Sequence, residues 1–582
     1  MNGLKKFRPV YLLLGVVAAA LLAYGLGTRP AAQPADAEGF SSARVVEDIR
    51  VISQKHHSVA PEHVENRAEV REFLAGRLLE LGADTLKRFR YDSLQGPFNK
   101  TYVEPYTFDA ENLLAEFHPL KESDDTTYLM FVAHFDSRYC QPMPEGMVWS
   151  YGAADDGYGV GVTLETVSQL LKNRADWKQG VKVLFTDAEE VGMEGMKAQW
   201  ANNKEVFDNV GLMVNLEARG PYGPCLLFET CPGNEKILDL YSQAADYKFT
   251  YSLTTVVYTF MPNFTDFTIV KDEIPGMNFS TITDINHYHT DKDNFSNICE
   301  KSIQHYGAQV LPVALEYVTN PIYADKDYLR SEDDTVNFTI PVFGLFNFSK
   351  IMYVIVNVLF FLLFLCVFGL EGVRGRLTAV KVFKTSGMVL LAALAAMIAG
   401  TVLSYLCCLV AGAEFKPFGV IHGVQFDNVA MVVFMVLLAA CLILFYLKGR
   451  AKAVRSALNS MRSSASSAAA IKYANNVLYG TLALMLVLNI VLLIAIGENL
   501  MFMIPFTFAT IALVLFRFTS MRIWLLAAIF ATLLHVFSFL FALSMALTIG
   551  AVGAVMMIAT IDLMMLIPMA DMYTMPSRNR RA

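Results

Sequence analysis

The chain has 582 residues, of which 54% are hydrophobic and only 17% charged, with a mean hydropathy of +0.39. That is too apolar for an ordinary water-soluble protein of this length, so much of it must lie in a membrane. The formal charge of −7 is small for the size and implies neither nucleic acid nor an acidic surface as a partner.

The apolar residues are unevenly spread. A first run from Val10 to Gly27 follows Lys5, Lys6 and Arg8 and precedes a Pro/Ala linker that reaches about Glu38. It is long for a signal peptide and lacks a convincing small-x-small cleavage site, so an uncleaved anchor is expected. Residues 1–37 are then the cytoplasmic terminus, anchor and linker. Residues 38–335 have ordinary globular composition and are expected to form one extracytoplasmic domain. From 340 to 582 the chain is nearly all apolar runs. Seven spans are expected there, near 350–370, 387–411, 428–447, 474–496, 500–516, 523–543 and 546–569, each long enough to cross the hydrocarbon.

Basic residues set the orientation. Lys5, Lys6 and Arg8; Arg374, Arg376, Lys381 and Lys384; Lys448, Arg450, Lys452, Arg455, Arg462 and Lys472; Arg517 and Arg522; and Arg578, Arg580 and Arg581 fall in alternate loops, whereas the intervening loops hold Lys416 alone. The positive-inside rule therefore puts both termini in the cytoplasm and the large domain on the opposite side. The stretch from about Arg455 to Ala470, rich in Ser and Ala, reads as a cytoplasmic linker or surface helix.

Within the globular region, TYLMFVAHF, VKVLFTDA, GLMVNLEA, CLLFET and IPGMNFSTI are short runs rich in β-branched or aromatic residues and read as buried strands. Helical patterns lie between strands, notably Gly159 to Leu171, and another runs from Asn66 to Leu81. The expected fold class is α/β: a three-layer α/β/α sandwich on a mixed, mostly parallel sheet, followed by a multi-span helical membrane domain. Sites in such folds gather at the carboxyl ends of strands, and His134, Glu189 and Glu217 each end an apolar run.

Five segments carry the chemistry: AHFDS around His134, GAADDG around Asp155, DAEEVG around Glu189 and Glu190, VNLEARG around Glu217, and NHYHTD around His289. Two zinc ions roughly 3.5 to 4 Å apart need a His at each outer end, a bridging carboxylate and one further carboxylate per ion. One more carboxylate must stay unligated as the general base, and the pair Glu189 and Glu190 offers one group for each task.

In order and spacing these segments resemble the di-zinc aminopeptidase family, which includes secreted bacterial aminopeptidases and glutamate carboxypeptidase, and they are most similar to its membrane-bound endoplasmic-reticulum metallopeptidase branch. The likeness covers about Phe40 to Asn320. It implies a cofactor of two zinc ions per chain, with His134, Asp155, Glu190, Glu217 and His289 as ligands and Glu189 as the general base. Asp136 would orient His134. Asp155 is preferred to Asp156 because the family's bridging Asp lies four residues before the Gly that stands here as Gly159. Many relatives carry Asp where Glu217 stands, and the longer side chain still reaches a metal. Tyr288, beside His289, is placed to donate to a developing oxyanion, as a Tyr does in glutamate carboxypeptidase; a packed aromatic is the competing reading. Asp266 either shapes the pocket or caps a helix.

The resulting expectation is a membrane-anchored zinc exopeptidase, an aminopeptidase acting on peptides through a metal-activated water, with peptide and lipid bilayer as its partners. Two other classes stay open: a single-zinc acyltransferase of the glutaminyl-cyclase type, and a transporter or scaffold with an accessory peptidase domain. His56, His57, His63, His118, His287 and His305 read as surface or core residues, and His535 and Asp562 fall inside spans, where ionisable groups are costly. Cys140, Cys225, Cys231 and Cys299 lie in the globular region, Cys225 and Cys231 being the closest-spaced pair. Six Asn-x-Ser/Thr sequons, at Asn99, Asn263, Asn278, Asn294, Asn337 and Asn347, suit an endoplasmic-reticulum lumen. A bacterial plasma membrane with a periplasmic domain is the first expectation and the endoplasmic reticulum the second.

Overall fold

The computed structural model describes residues 7–23, 29–97, 104–121, 126–143, 146–259, 263–459 and 465–575. They divide into two units: Thr28–Thr339 with Phe343–Lys350, and Met1–Gly27 with Ile340–Val342 and Ile351–Ala582. Residues 24–28 of the expected anchor, Asn99, Arg462 and the Arg-rich carboxyl end lie outside the described residues.

After α1 (Arg8–Leu21), the first unit runs α2 (Ser42–Ile52), α3 (Val64–Glu80), β1 (Thr85–Leu94), β2 (Phe108–Phe117), β3 (Tyr128–His134), β4 (Gln141–Met143), β5 (Gly146–Val148), α4 (Gly157–Leu171) and β6 (Gly180–Thr186). It continues with α5 (Glu194–Asn202), β7 (Val210–Ala218), β8 (Tyr222–Thr230), α6 (Glu235–Ala244), α7 (Ser252–Thr259), α8 (Asp266–Val270), β9 (Gly276–Thr283), α9 (Glu300–Thr319), β10 (Thr335–Ile340) and β11 (Gly344–Ser349). Among the described residues the main sheet has seven strands in the order β1-β2-β6-β3-β7-β9-β8. The four central strands run parallel, and antiparallel pairings join β2 and β1 at one edge and β8 at the other.

Every residue of β3, β6 and β7 is buried, as an uninterrupted apolar run flanked by helices on both faces requires. α2, α4 and α9 pack on one another as one group, and α5 packs with α8 against the sheet as another, making the three-layer α/β/α sandwich. Because β3, β6, β7 and β9 point the same way, the loops after them meet at one edge of the sheet.

Two strands of the main sheet are not announced by apolar runs. β1 carries Lys87, Arg88, Arg90 and Asp92 on exposed positions, because an edge strand needs only part of one face in the core. β2 buries polar Asn112, which donates to Gly195 O at 2.9 Å and to Gln199 Oε1 at 3.1 Å.

The second unit contains α1 with α10 (Lys350–Val373), α11 (Ala379–Ala411), α12 (Asp427–Leu458), α13 (Ala465–Ile496), α14 (Leu500–Thr519), α15 (Ile523–Leu547) and α16 (Val552–Thr574). Six helical segments among the described residues are long and apolar enough to cross a membrane, and the last, Ile523–Thr574, comprises α15 and α16. A short turn over Thr548–Ala551 joins those two. α16 packs against α11, α13 and α15, and α1 packs against α15. His535 and Asp562 are both buried within this unit.

Candidate metal centre

β3 ends on His134, whose Nε2 lies 3.2 Å from Asp155 Oδ1 and 3.7 Å from Glu217 Oε2. The other oxygen of Asp155, Oδ2, is 3.4 Å from His289 Nε2, and that nitrogen is 3.2 Å from Glu190 Oε2. Asp155 therefore belongs to two triads, His134–Asp155–Glu217 and Asp155–Glu190–His289, whose donor atoms lie within 4.8 Å of one another. Asp156 faces elsewhere: it caps α4, its Oδ1 accepting the Gly159 N–H at 2.9 Å.

The surrounding chain fixes each group. Asp136 accepts the backbone N–H groups of Glu189 (2.9 Å) and Glu190 (3.2 Å) with its carboxylate, while its carbonyl oxygen lies 3.0 Å from His134 Nδ1. The Asp136 carbonyl and its carboxylate, whose Oδ1 lies 3.5 Å from the same nitrogen, both face the imidazole, and the carboxylate also ties down the loop after β6. Arg138 donates to the Glu190 carbonyl at 2.7 Å and to its Oε2 at 3.1 Å. Asn215 donates to Glu217 Oε1 at 3.0 Å. Ala188 and His289 both have left-handed backbone, with φ of 61° and 62°, a conformation that non-glycine residues keep only when their surroundings enforce it.

Asp136, Asp155, Asp156, Glu190, Glu217 and Asp266 are all buried, against two imidazoles and Arg138. Burial, reinforced by the neighbouring carboxylates, pushes Glu189 and Glu217 well above the usual carboxylate range. Burial also works against charge on Asp155, but its bonds to His134 and His289 hold its carboxyl well below the usual range. Among the described residues, buried Glu190 Oε1 accepts no hydrogen bond. Buried carboxylates gathered in this way call for cations, and one His with two carboxylates per triad is a donor set that suits zinc.

The remaining expected residues are placed as follows. The Tyr288 ring stacks on His289 at 3.5 Å between centroids, and the Arg219 guanidinium lies over it at 5.4 Å. Buried Asp266 accepts a hydrogen bond from the Thr186 hydroxyl, and burial lifts its carboxyl to about 6. His287 turns away from both triads, its Nδ1 3.3 Å from the Asp284 carbonyl and its ring against Tyr222. Cys225 and Cys231 are separate buried thiols. Cys225 lies in β8 and Cys231 directly follows it, and the roughly 20 Å that six extended residues cover is beyond disulfide reach. Asn278 and Asn337 are fully buried acceptors, unusable for a glycan in the folded chain.

Sequence reasoning misses Arg138, Asn215 and Asp293. Asp293 accepts from the Ser150 hydroxyl (2.9 Å) and from the N–H groups of Ala154 (2.7 Å) and Asp155 (3.3 Å). It stands four residues after His289 among several acids, and no motif separates it from them.

The profile of peptidase family M28 matches residues 112–314. Endoplasmic reticulum metallopeptidase 1 of Rattus norvegicus is 28% identical over 265 residues, covering 44% of this chain and 28% of that protein. The vacuolar membrane protease of Schizosaccharomyces pombe is 24% identical over 337 residues, covering 54% and 36%. The matched region thus spans about a third or less of these relatives' length. Among solved structures, a glutaminyl cyclase from Bacteroides thetaiotaomicron is 18% identical, with 48% of this chain and 98% of that chain covered and a TM-score of 0.36. Residues 112–314 are thus similar to peptidase family M28, in a chain that also contains, among the described residues, helices long and apolar enough to cross a membrane.

Proposed function

We propose that this protein is a membrane-anchored exopeptidase, an aminopeptidase that removes N-terminal residues from peptides with two co-catalytic zinc ions. The observation that carries the reading is the position of Asp155, with one oxygen 3.2 Å from His134 and the other 3.4 Å from His289. In this reading His134 and Glu217 would hold one ion and Glu190 and His289 the other, with Asp155 contributing to both. When bound, the ions would supply Lewis acidity, acidifying water and polarising a peptide carbonyl. Glu189 stays unligated; it takes the proton from the attacking water and passes it to the leaving amine. Tyr288 donates to the developing oxyanion, while Asp136 and Arg138 hold His134 and the Glu189–Glu190 loop in register. The surplus of carboxylates attracts a substrate's free α-ammonium group, which gives amino-terminal selectivity.

The alternating distribution of basic residues supports a peptidase domain on the far side of the membrane from the cytoplasm, in a bacterial periplasm first and an endoplasmic-reticulum lumen second. The test is hydrolysis by the purified full chain, with zinc, of matched peptides bearing free or acetylated amino termini. Zinc-dependent cleavage confined to the free peptides is expected. Equal cleavage of the acetylated peptides would rule out the aminopeptidase reading.

A further inference from the structure

The apolar helical unit holds a cavity of about 800 Å³ between α11, α12 and α13. Five lysines line it: Lys381 and Lys384 from the first turns of α11, Lys448 and Lys452 from the later part of α12, and Lys472 from the start of α13. Spacings of three and four residues keep each helical pair on one face. Nearby carboxylates are already engaged elsewhere, Asp571 with Arg450 at 2.8 Å and Glu371 with Arg517 at 3.2 Å. Lys472 donates to the Gly375 carbonyl at 3.2 Å, and among the described residues none of the five lysines has a carboxylate partner.

Two close helix approaches shape the walls. A Cβ on Gly449 would fall 2.0 Å from the Tyr473 hydroxyl, and one on Gly480 would fall 2.7 Å from Thr385 Cβ, so α12 and α11 each seat directly against α13. α11 and α12 scarcely touch each other. The result is a wedge with α13 as its back wall, and Met388, Phe445 and Val477 make part of its lining apolar. Lysines that serve only to orient spans gain nothing from converging on one pocket, because like charges brought together repel. A multivalent anion removes that repulsion. One phosphodiester offsets a single charge, whereas a headgroup with two or more phosphates offsets most of the five. The position at the ends of three spans, with an apolar wall running inward, matches the headgroup level of a bilayer.

We propose that this cavity binds a membrane lipid whose headgroup carries more than one phosphate, its acyl chains lying along the apolar wall. The shared chemistry is clustered phosphate, and the test separates a lipid source from a soluble one. The full-length protein, delipidated in detergent, is titrated with phosphatidylinositol bisphosphate, phosphatidylserine or soluble inositol trisphosphate, and adducts are counted by native mass spectrometry. Bisphosphate lipid should bind in preference to phosphatidylserine. At about fivefold per lysine, K448Q/K452Q should weaken it roughly 30-fold, K448R/K452R should restore binding, and the pair R374Q/K416Q, outside the cavity lining, should leave it unchanged. Equal uptake of both lipids, equal loss in both neutralised pairs, or binding of the soluble trisphosphate without any lipid adduct would each overturn the proposal.

Discussion

Asp293 holds the backbone of Asp155: its Oδ2 accepts the Asp155 N–H at 3.3 Å across 138 residues of sequence. The same carboxylate takes the Ala154 N–H and the Ser150 hydroxyl, so the loop that presents Asp155 to both histidines is set by an acid that touches neither of them. Groups that position metal ligands commonly contribute 10- to 100-fold to metal affinity. Asp293→Ala is therefore expected to weaken zinc binding by about that factor, read by competition with a chromophoric chelator. Unchanged affinity would show that the loop holds its shape without Asp293.

Glu189 and Glu190 are adjacent, yet only Glu190 lies within 3.2 Å of His289. Glu189→Gln is expected to keep the zinc content of the wild type while peptide hydrolysis falls roughly 10²- to 10⁴-fold, the range that general-base catalysis supplies. Loss of zinc together with activity would mean that Glu189 is a ligand instead.

His305 is fully buried on α9, its Nδ1 accepting the Cys225 N–H at 2.9 Å and its Nε2 donating to the Tyr247 carbonyl at 2.8 Å. Burial lowers its pKa from 6.5 to about 4. The unfolded chain then binds the extra proton first, so the contribution of this group is complete above pH 6.5 and is lost as the pH falls towards 4. The full loss is about 3 kcal/mol at 1.36 kcal/mol per unit. Melting temperature measured from pH 7 to 4.5 should fall more steeply for the wild type than for His305→Asn. Parallel curves would show that His305 does not titrate in this window.

The strands of the parallel core were legible because burial on both faces demands continuous apolar runs, as in TYLMFVAH and GLMVNLEA. β1 and β2 were not, since their polar residues find partners that only the folded chain provides, such as Asn112 against Gly195 and Gln199. The histidines and carboxylates of the candidate centre were readable because their types and order are constrained by what a metal accepts. Asp293 and Arg138 act through backbone atoms, which any nearby carboxylate or guanidinium can do, so they leave no pattern in one sequence. The cavity between α11, α12 and α13 was equally silent: its lysines look like ordinary residues flanking spans until three helix ends are brought together.

Metal stoichiometry decides whether Asp155 is shared by two metal ions. Purified full-length protein loaded with zinc and freed of excess is expected to hold two ions per chain by elemental analysis. His134→Ala should lower the affinity of one site and His289→Ala that of the other, whereas Asp155→Ala should disturb both. A single zinc ion per chain in the intact protein, bound with wild-type activity, would contradict the two-metal account and leave a one-metal centre in its place.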